Sequence, residues 1–150
     1  MTKHLSQNMA TPLSYLAAVV ALFVPWTLQA DAADAIWSGS YTEAQAERGA
    51  EDYSARCAGC HGADLRGDGH ASGLAGMGFM FVWEGKSLGE LYTKIRNDMP
   101  ADQPRGLTKG SYADILAYIL KFNEFPAGDA ELSSDEKVLN KVMITANPNS

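Results

Sequence analysis

The chain contains two cysteines, two residues apart and followed at once by a histidine: Cys57-Ala58-Gly59-Cys60-His61. Few stretches of five residues constrain a chain so tightly. A structural zinc site needs four ligands; only Cys57, Cys60, His61 and His70 are available, and the adjacent Cys60 and His61 are poorly disposed to face one ion. A thioredoxin-like dithiol sits in a βαβ surrounding, which no part of the sequence supplies. A plain disulfide, the ordinary outcome for a free pair in an exported chain, leaves His61 without a role. One reading uses all three side chains. Two thiols one helical turn apart each add to a vinyl group of haem, and the next imidazole lies under the iron. The expected cofactor is one haem c, attached through Cys57 and Cys60, with His61 as the proximal iron ligand.

Such attachment takes place outside the cytoplasm, and the start of the chain independently reads as an export signal. Lys3 and His4 make a basic beginning, Leu13 to Val24 is an apolar run, and Pro25 leads on to the small residues around Ala30-Asp31-Ala32. These are the parts of a secretory signal peptide. A bilayer span needs about 20 apolar residues, and this run is shorter and ends at Pro25. Residues 1–32 are therefore expected to be a signal peptide and the product to be periplasmic, with no stable membrane span after cleavage. Residues 33–40 read as a small-polar linker holding the anchor-like pair Ile36-Trp37, residues 41–130 as one domain, and residues 131–150 as a C-terminal extension packing on it. The formal net charge of -6 excludes nucleic acid as a partner, because phosphate contacts need clustered Lys and Arg. It favours docking to a basic or apolar patch.

The domain reads as all-α. Thr42-Glu43-Ala44-Gln45 has the form of a capping box, opening a helix that runs through Gly49 and Tyr53 to the cysteines. Gly62 to Gly78 is rich in glycine and predicts an irregular loop. Phe79 and Trp83, four apart, fall on one face of a short helix ended by Gly85. Ser87-Leu88-Gly89-Glu90 is a second capping box, and Leu88, Leu91, Tyr92 and Ile95 follow at helical spacing. Pro100 stops that helix, since the residue before a proline is pushed out of the α region. Met99 to Gly106 is then a loop. From Lys109 a third helix places Tyr112, Ile115, Leu116 and Ile119 on one stripe and ends near Phe122. Ser133-Ser134-Asp135-Glu136 caps a short last helix, and Val142-Met143-Ile144 predicts an extended piece that packs back.

The sixth iron position is the remaining question. Methionine there raises the reduction potential and fills the site, favouring electron transfer over ligand chemistry. Met77, Met80, Met99 and Met143 are the candidates beyond the leader, with His70 as a bis-histidine alternative. Met80 lies in an apolar run and reads as core or cavity wall; Met143 is near the tail. Met99 is preferred because Pro100 stiffens the loop that would present it. Met77, between glycines, is the next choice.

Five stretches carry a family likeness: Tyr41-Thr42-Glu43-Ala44-Gln45-Ala46, Cys57-Ala58-Gly59-Cys60-His61-Gly62, Trp83-Glu84-Gly85-Lys86-Ser87-Leu88, Ile95-Arg96-Asn97-Asp98-Met99-Pro100, and Tyr112 to Leu120. In them the chain resembles class I c-type cytochromes, and more narrowly the small cytochromes and haem domains associated with quinoprotein (PQQ) alcohol dehydrogenases. The resemblance implies a cytochrome c-like domain of three main helices, plus short helices and loops, wrapped around one covalent haem, with His61 and Met99 as axial ligands. It implies that the first and third helices cross at Gly49, where the missing side chain lets Tyr118 pack close. Tyr53, Trp83, Tyr92 and Ile115 become pocket or core residues. Similar proteins often carry a proline in the glycine-rich loop, whose carbonyls orient the proximal histidine. This chain has His70-Ala71-Ser72-Gly73-Leu74 there, and a backbone carbonyl nearby is expected to do the same work. The function implied is a one-electron carrier rather than an enzyme in its own right. Its donor would be a quinoprotein-type dehydrogenase and its acceptor a terminal oxidase or another cytochrome; it could also be the cytochrome subunit of a dehydrogenase complex. The alternative is a haem protein with an open or labile sixth site, peroxidase-like or gas-sensing.

Overall fold

The computed structural model describes residues 35–149; the expected signal peptide, residues 1–32, and the start of the 33–40 segment lie outside the described residues. The elements in chain order are a 3₁₀ turn (Ile36–Ser38) and the helices α1 (Glu43–Arg56), α2 (Ala58–His61), α3 (Gly76–Trp83), α4 (Leu88–Asp98), α5 (Lys109–Phe122) and α6 (Glu136–Leu139). No strand occurs among the described residues, as the all-α expectation requires.

The two longest helices, α1 and α5, cross where neither has a side chain in the way. A Cβ placed on Gly49 would stand 1.8 Å from the carbonyl oxygen of Asp114 and 2.4 Å from its carbon. The resemblance assigned this gap to Tyr118, and the structure corrects it: Gly49 rests on the α5 backbone at Asp114. Tyr118 lies one turn further along α5, as Tyr53 does along α1, so the two rings meet each other with centroids 5.2 Å apart. Residues four apart share a helix face, so a single backbone contact at 49 and 114 fixes the aromatic contact at 53 and 118. At the surface, Arg48 spans the same crossing, with its guanidinium on Asp114 at 3.0 and 3.1 Å and on Glu131 at 2.9 Å.

Both capping signals start helices, in different ways. Ser87 and Glu90 form a complete box: the Glu90 carboxylate accepts from the Ser87 amide at 2.8 Å, and the Ser87 hydroxyl accepts from the Glu90 amide at 3.2 Å. The bond from the Ser87 amide, and a second from its hydroxyl at 3.1 Å, hold the Glu90 carboxyl below its usual range. At α1 only half the box forms. Thr42 accepts from the Gln45 amide at 3.2 Å, but the Gln45 side chain turns inward. Its Nε2 donates to the Leu132 carbonyl at 3.0 Å, and its Oε1 accepts from the Leu132 amide at 2.6 Å. A buried side-chain amide that meets the N–H and the C=O of one residue has neither end left unpaired, and here it ties α1 to the segment after α5.

The core stripes of α4 and α5 fall as the spacing predicts, with Leu88, Leu91, Tyr92 and Ile95 facing Tyr112, Ile115, Leu116 and Ile119 in one buried cluster. Met99 leaves α4 in an extended conformation, φ -124° and ψ 152°, as its place before Pro100 dictates. Helix α3 begins at Gly76, earlier than the Phe79–Trp83 spacing suggests. Phe79 is wholly buried, whereas Met77 and Phe81 stand 89% and 93% exposed.

The flanks of the domain are structural. The Ile144 carbonyl accepts from the Gly85 amide and its amide donates to Lys86, both at 2.8 Å, and the Leu88 amide donates to Val142 at 2.8 Å. The expected extended piece thus packs back and buries Ile144 completely. On the other side, the apolar pair Ile36-Trp37 within residues 33–40 packs on the domain. Ile36 is fully buried, the Trp37 ring packs on Phe125 with centroids 4.6 Å apart, and its indole N–H donates to the Thr145 carbonyl at 3.2 Å.

The crossing makes a direct stability prediction. Alanine in place of glycine within a helix ordinarily gains about 1 kcal/mol, but at Gly49 the new methyl meets a backbone carbonyl, and overpacking of that kind costs about 3 kcal/mol. Gly49→Ala is expected to lose about 2 kcal/mol net in urea denaturation. Gly78→Ala, which places a Cβ in open space on α3, is expected to be neutral or stabilising.

Candidate haem-binding site

A cavity of about 680 Å³ opens beside α2, bounded by the glycine-rich loop, the ends of α3 and α4, and the inner face of α5. Its size falls within the range of about 300–1,000 Å³ usual for a ligand pocket. Cys57, Cys60, His61 and Met99 all line it, and Leu91, Ile95, Ile115 and Ile119 give it apolar walls.

Local backbone chemistry sets the cysteines and the histidine at its edge. Helix α1 is interrupted at Cys57, with φ -122°, and α2 restarts the chain for one turn. The Cys57 amide donates to the Tyr53 carbonyl at 2.8 Å, and the His61 amide donates to the Cys57 carbonyl at 3.0 Å. Tyr53 closes the far end: its hydroxyl donates to the Gly62 carbonyl at 2.8 Å. Burial raises the Tyr53 phenol above its ordinary range, which keeps it a donor. Burial likewise pushes the Cys57 thiol up to about 11. This wall therefore favours a neutral sulfur, which a thiol and a thioether both are.

The glycine-rich loop supplies the carbonyl that the sequence could not name. The His61 Nδ1 lies 2.9 Å from the Ser72 carbonyl oxygen. A carbonyl only accepts, so Nδ1 carries the hydrogen, which in the neutral ring leaves the lone pair on Nε2, the arrangement a coordinating imidazole needs. No proline holds this loop. The Gly67 amide donates to the His61 carbonyl at 2.8 Å and the Leu74 amide to the Leu65 carbonyl at 2.6 Å. Gly67 has φ +73°, and a Cβ there would stand 2.2 Å from the Ala71 carbonyl oxygen. The Asp68 carboxylate accepts from the His70 and Ala71 amides at 2.9 and 3.1 Å, a side-chain turn that sets the approach to Ser72. Those bonds hold its carboxyl below the usual range. At the loop's exit, Asn123 donates to the Leu74 carbonyl and accepts from the Gly76 amide, both at 2.8 Å. Sequence reasoning missed Asp68 and Asn123. The Asp68-Gly69 pair was a turn signal; Asn123 also donates to the Ile119 carbonyl four residues back, but its partners in the loop lie 47 and 49 residues away and left no local mark.

Met99 reaches the cavity from the end of α4. Its amide donates to the Ile95 carbonyl at 2.9 Å, and its carbonyl accepts from the Tyr112 hydroxyl at 2.7 Å. The other sulfur candidates sit elsewhere: Met77 projects from the outer face of α3, Met80 packs against the core, and Met143 pairs with Ser87 in an isolated bridge. His70 lines the mouth of the cavity, and its side chain is almost fully exposed.

A helical domain that gathers two thiols and an imidazole at one apolar cavity has the makings of a c-type cytochrome. Residues 44–119, half of the chain, match the family described as cytochrome c oxidase, cbb3-type, subunit III, and the chain belongs to that family of cytochrome c domains. A domain of this kind implies covalently bound haem c and an electron-transfer role. The donor chemistry here suits that group: thiols for attachment, an imidazole whose Nε2 holds the lone pair, and apolar walls. The match does not single out a branch associated with quinoprotein dehydrogenases. No curated protein and no solved structure matches the chain.

The loop geometry is testable by exchange. Asp68→Asn keeps a side-chain oxygen for both amides, and Asp68→Ala removes it. Hydrogen exchange at His70 and Ala71 is expected to quicken several-fold in the alanine variant and to stay near wild type in the asparagine variant. The lowered Asp68 pKa sets the sign with pH. The carboxylate supports the turn at and above the ordinary carboxyl pKa of about 3.9, and that support is lost as pH falls through its lower folded value.

Proposed function

We propose that the protein is a periplasmic single-haem electron carrier, with haem c attached through Cys57 and Cys60 and its iron held by His61 and Met99. The observation that carries this reading is the convergence of those four residues, from α2 and from the end of α4, on one apolar cavity. When bound, haem c would supply a one-electron ferric–ferrous couple, its potential tuned by the side chains that hold and surround it. The chain's own residues do the rest. The Ser72 carbonyl orients His61 and raises its basicity as a ligand. Tyr53 secures the attachment turn at Gly62. Leu91, Ile95, Ile115 and Ile119 exclude water. A filled sixth position suits an electron carrier rather than a peroxidase-like or gas-sensing protein.

Export is supported by the leader in residues 1–32, and among the described residues no helix is long and apolar enough to cross a membrane. The resemblance of Tyr41–Ala46, Trp83–Leu88 and Ile95–Pro100 supports a quinoprotein-type dehydrogenase as donor. The description of the matched family names an oxidase subunit, which supports a terminal oxidase on the accepting side.

Replacement of the proposed site residues tests the assignment. Met99→Ala is expected to abolish the far-red Met–iron band of the ferric protein, to lower its midpoint potential and to open the sixth position to added cyanide. An unchanged low-spin spectrum in that variant sinks the ligand choice. Replacing Cys57 and Cys60 together by alanine is expected to leave any haem extractable by acidified acetone, whereas the wild-type group stays with the polypeptide.

A further inference from the structure

The loop that presents Met99 is tied by two buried phenols that exchange helices. Tyr92 belongs to α4, and its hydroxyl donates across to the Lys109 carbonyl at the first turn of α5, at 3.1 Å. Tyr112 belongs to α5, and its hydroxyl donates back to the Met99 carbonyl at the end of α4, at 2.7 Å. The same Tyr112 oxygen accepts from the Leu107 amide at 3.4 Å. Both rings are buried, at 0% and 1% exposure. Thus one hydroxyl meets the loop at its beginning and near its end, while the other secures only the helix that follows.

The consequences for the two tyrosines differ. The Met99 amide is fixed by the Ile95 carbonyl at 2.9 Å and its carbonyl by Tyr112, so both peptide groups flanking the Met99 Cα are held and only side-chain torsions remain. Without the Tyr112 hydroxyl, the Met99 carbonyl loses its buried donor and the peptide leading to Pro100 is free to turn. Loss of the Tyr92 hydroxyl loosens α4 against α5 without touching Met99.

We propose that Tyr112 is a positioning residue for Met99, holding the thioether in the cavity through the Met99 carbonyl and so setting how readily that side chain is displaced. This rests on the reading of Met99 as the sixth ligand. The test uses ferric haem-loaded protein titrated with imidazole and with alkali, following the far-red Met–iron band, with thermal unfolding recorded in parallel. Tyr112→Phe is expected to bind imidazole about fivefold more tightly, the factor that one net hydrogen bond corresponds to, and to lose the band at lower pH than wild type. Tyr92→Phe is expected to unfold at a lower temperature while keeping wild-type imidazole affinity. Equal imidazole affinities in Tyr112→Phe and wild type overturn the proposal, as do equal increases in both tyrosine variants. If Tyr112→Phe does not accumulate, 3-fluorotyrosine at position 112, a stronger donor, is expected to weaken imidazole binding; no change overturns the proposal. If the band is absent from wild type or survives in Met99→Ala, the ligand reading itself fails and takes the proposal with it. If Met99→Ala removes the band and Tyr112→Phe has no effect, the proposal alone fails.

Discussion

Where α1 and α5 cross, the peptide at Gly49 lies directly on the peptide at Asp114, and no side chain separates them. That contact sets the spacing of much that follows. One turn beyond it the rings of Tyr53 and Tyr118 meet, and one turn beyond Tyr53 the chain reaches Cys57. On the other helix, Ile115 and Ile119 follow Asp114 into the cavity wall. The distance between the attachment turn and the α5 wall is therefore governed by how closely two backbones approach. A wider crossing would move the thiols away from the apolar surface that faces them.

Around this crossing the cavity has apolar walls in a polar frame. Its frame consists of carbonyls, each met by a specific donor: Gly62 by Tyr53, Ser72 by the His61 imidazole, Leu74 by Asn123 and Met99 by Tyr112. The Ser72 bond is exposed, and the other three are partly buried, where a carbonyl left without a donor costs more than the bond would have contributed. Each pairing therefore discourages alternative paths for the backbone at that point. No buried side-chain nitrogen or oxygen lacks a partner among the described residues. The irregular segments that carry the site are thus held by side chains reaching in from α1, α2 and α5, in place of the backbone ladder that a regular element would supply.

Much of this was legible in the chain. The helices α4 and α5, their buried stripes and the capping box at Ser87 follow from spacing and side-chain chemistry that act within a few residues. The extended return at Ile144 was legible because an apolar trio after a capped turn has little alternative to packing. The cysteine–histidine motif and the Met99-Pro100 junction pointed to one cavity for similarly local reasons. What sequence reasoning missed acts over long separations. Gln45 looked like the second half of a capping box, and its chemistry is the same in either role; only the nearness of Leu132, 87 residues on, decides which bond forms. Asn123 and Tyr112 belong with it. A polar side chain that bonds a distant carbonyl leaves no period in the sequence. Gly49 was identified as a crossing point, but a missing side chain does not say which atom fills the gap, and the backbone at Asp114 did so in place of Tyr118.

The pairing of Gln45 with Leu132 bears on where the unit can be cut. The amide copies the two-bond exchange of neighbouring strands with a single side chain. Together with Ile36, Trp37 and Ile144, it makes the segments outside 41–130 part of the core. Trimming the domain to residues 44–119, the stretch that the family match covers, would remove Ile36, Trp37, Leu132 and Ile144 and leave the buried Gln45 side chain without its partner. The portable module begins near Ile36 and closes at about Thr145, so fusion joints belong outside those limits.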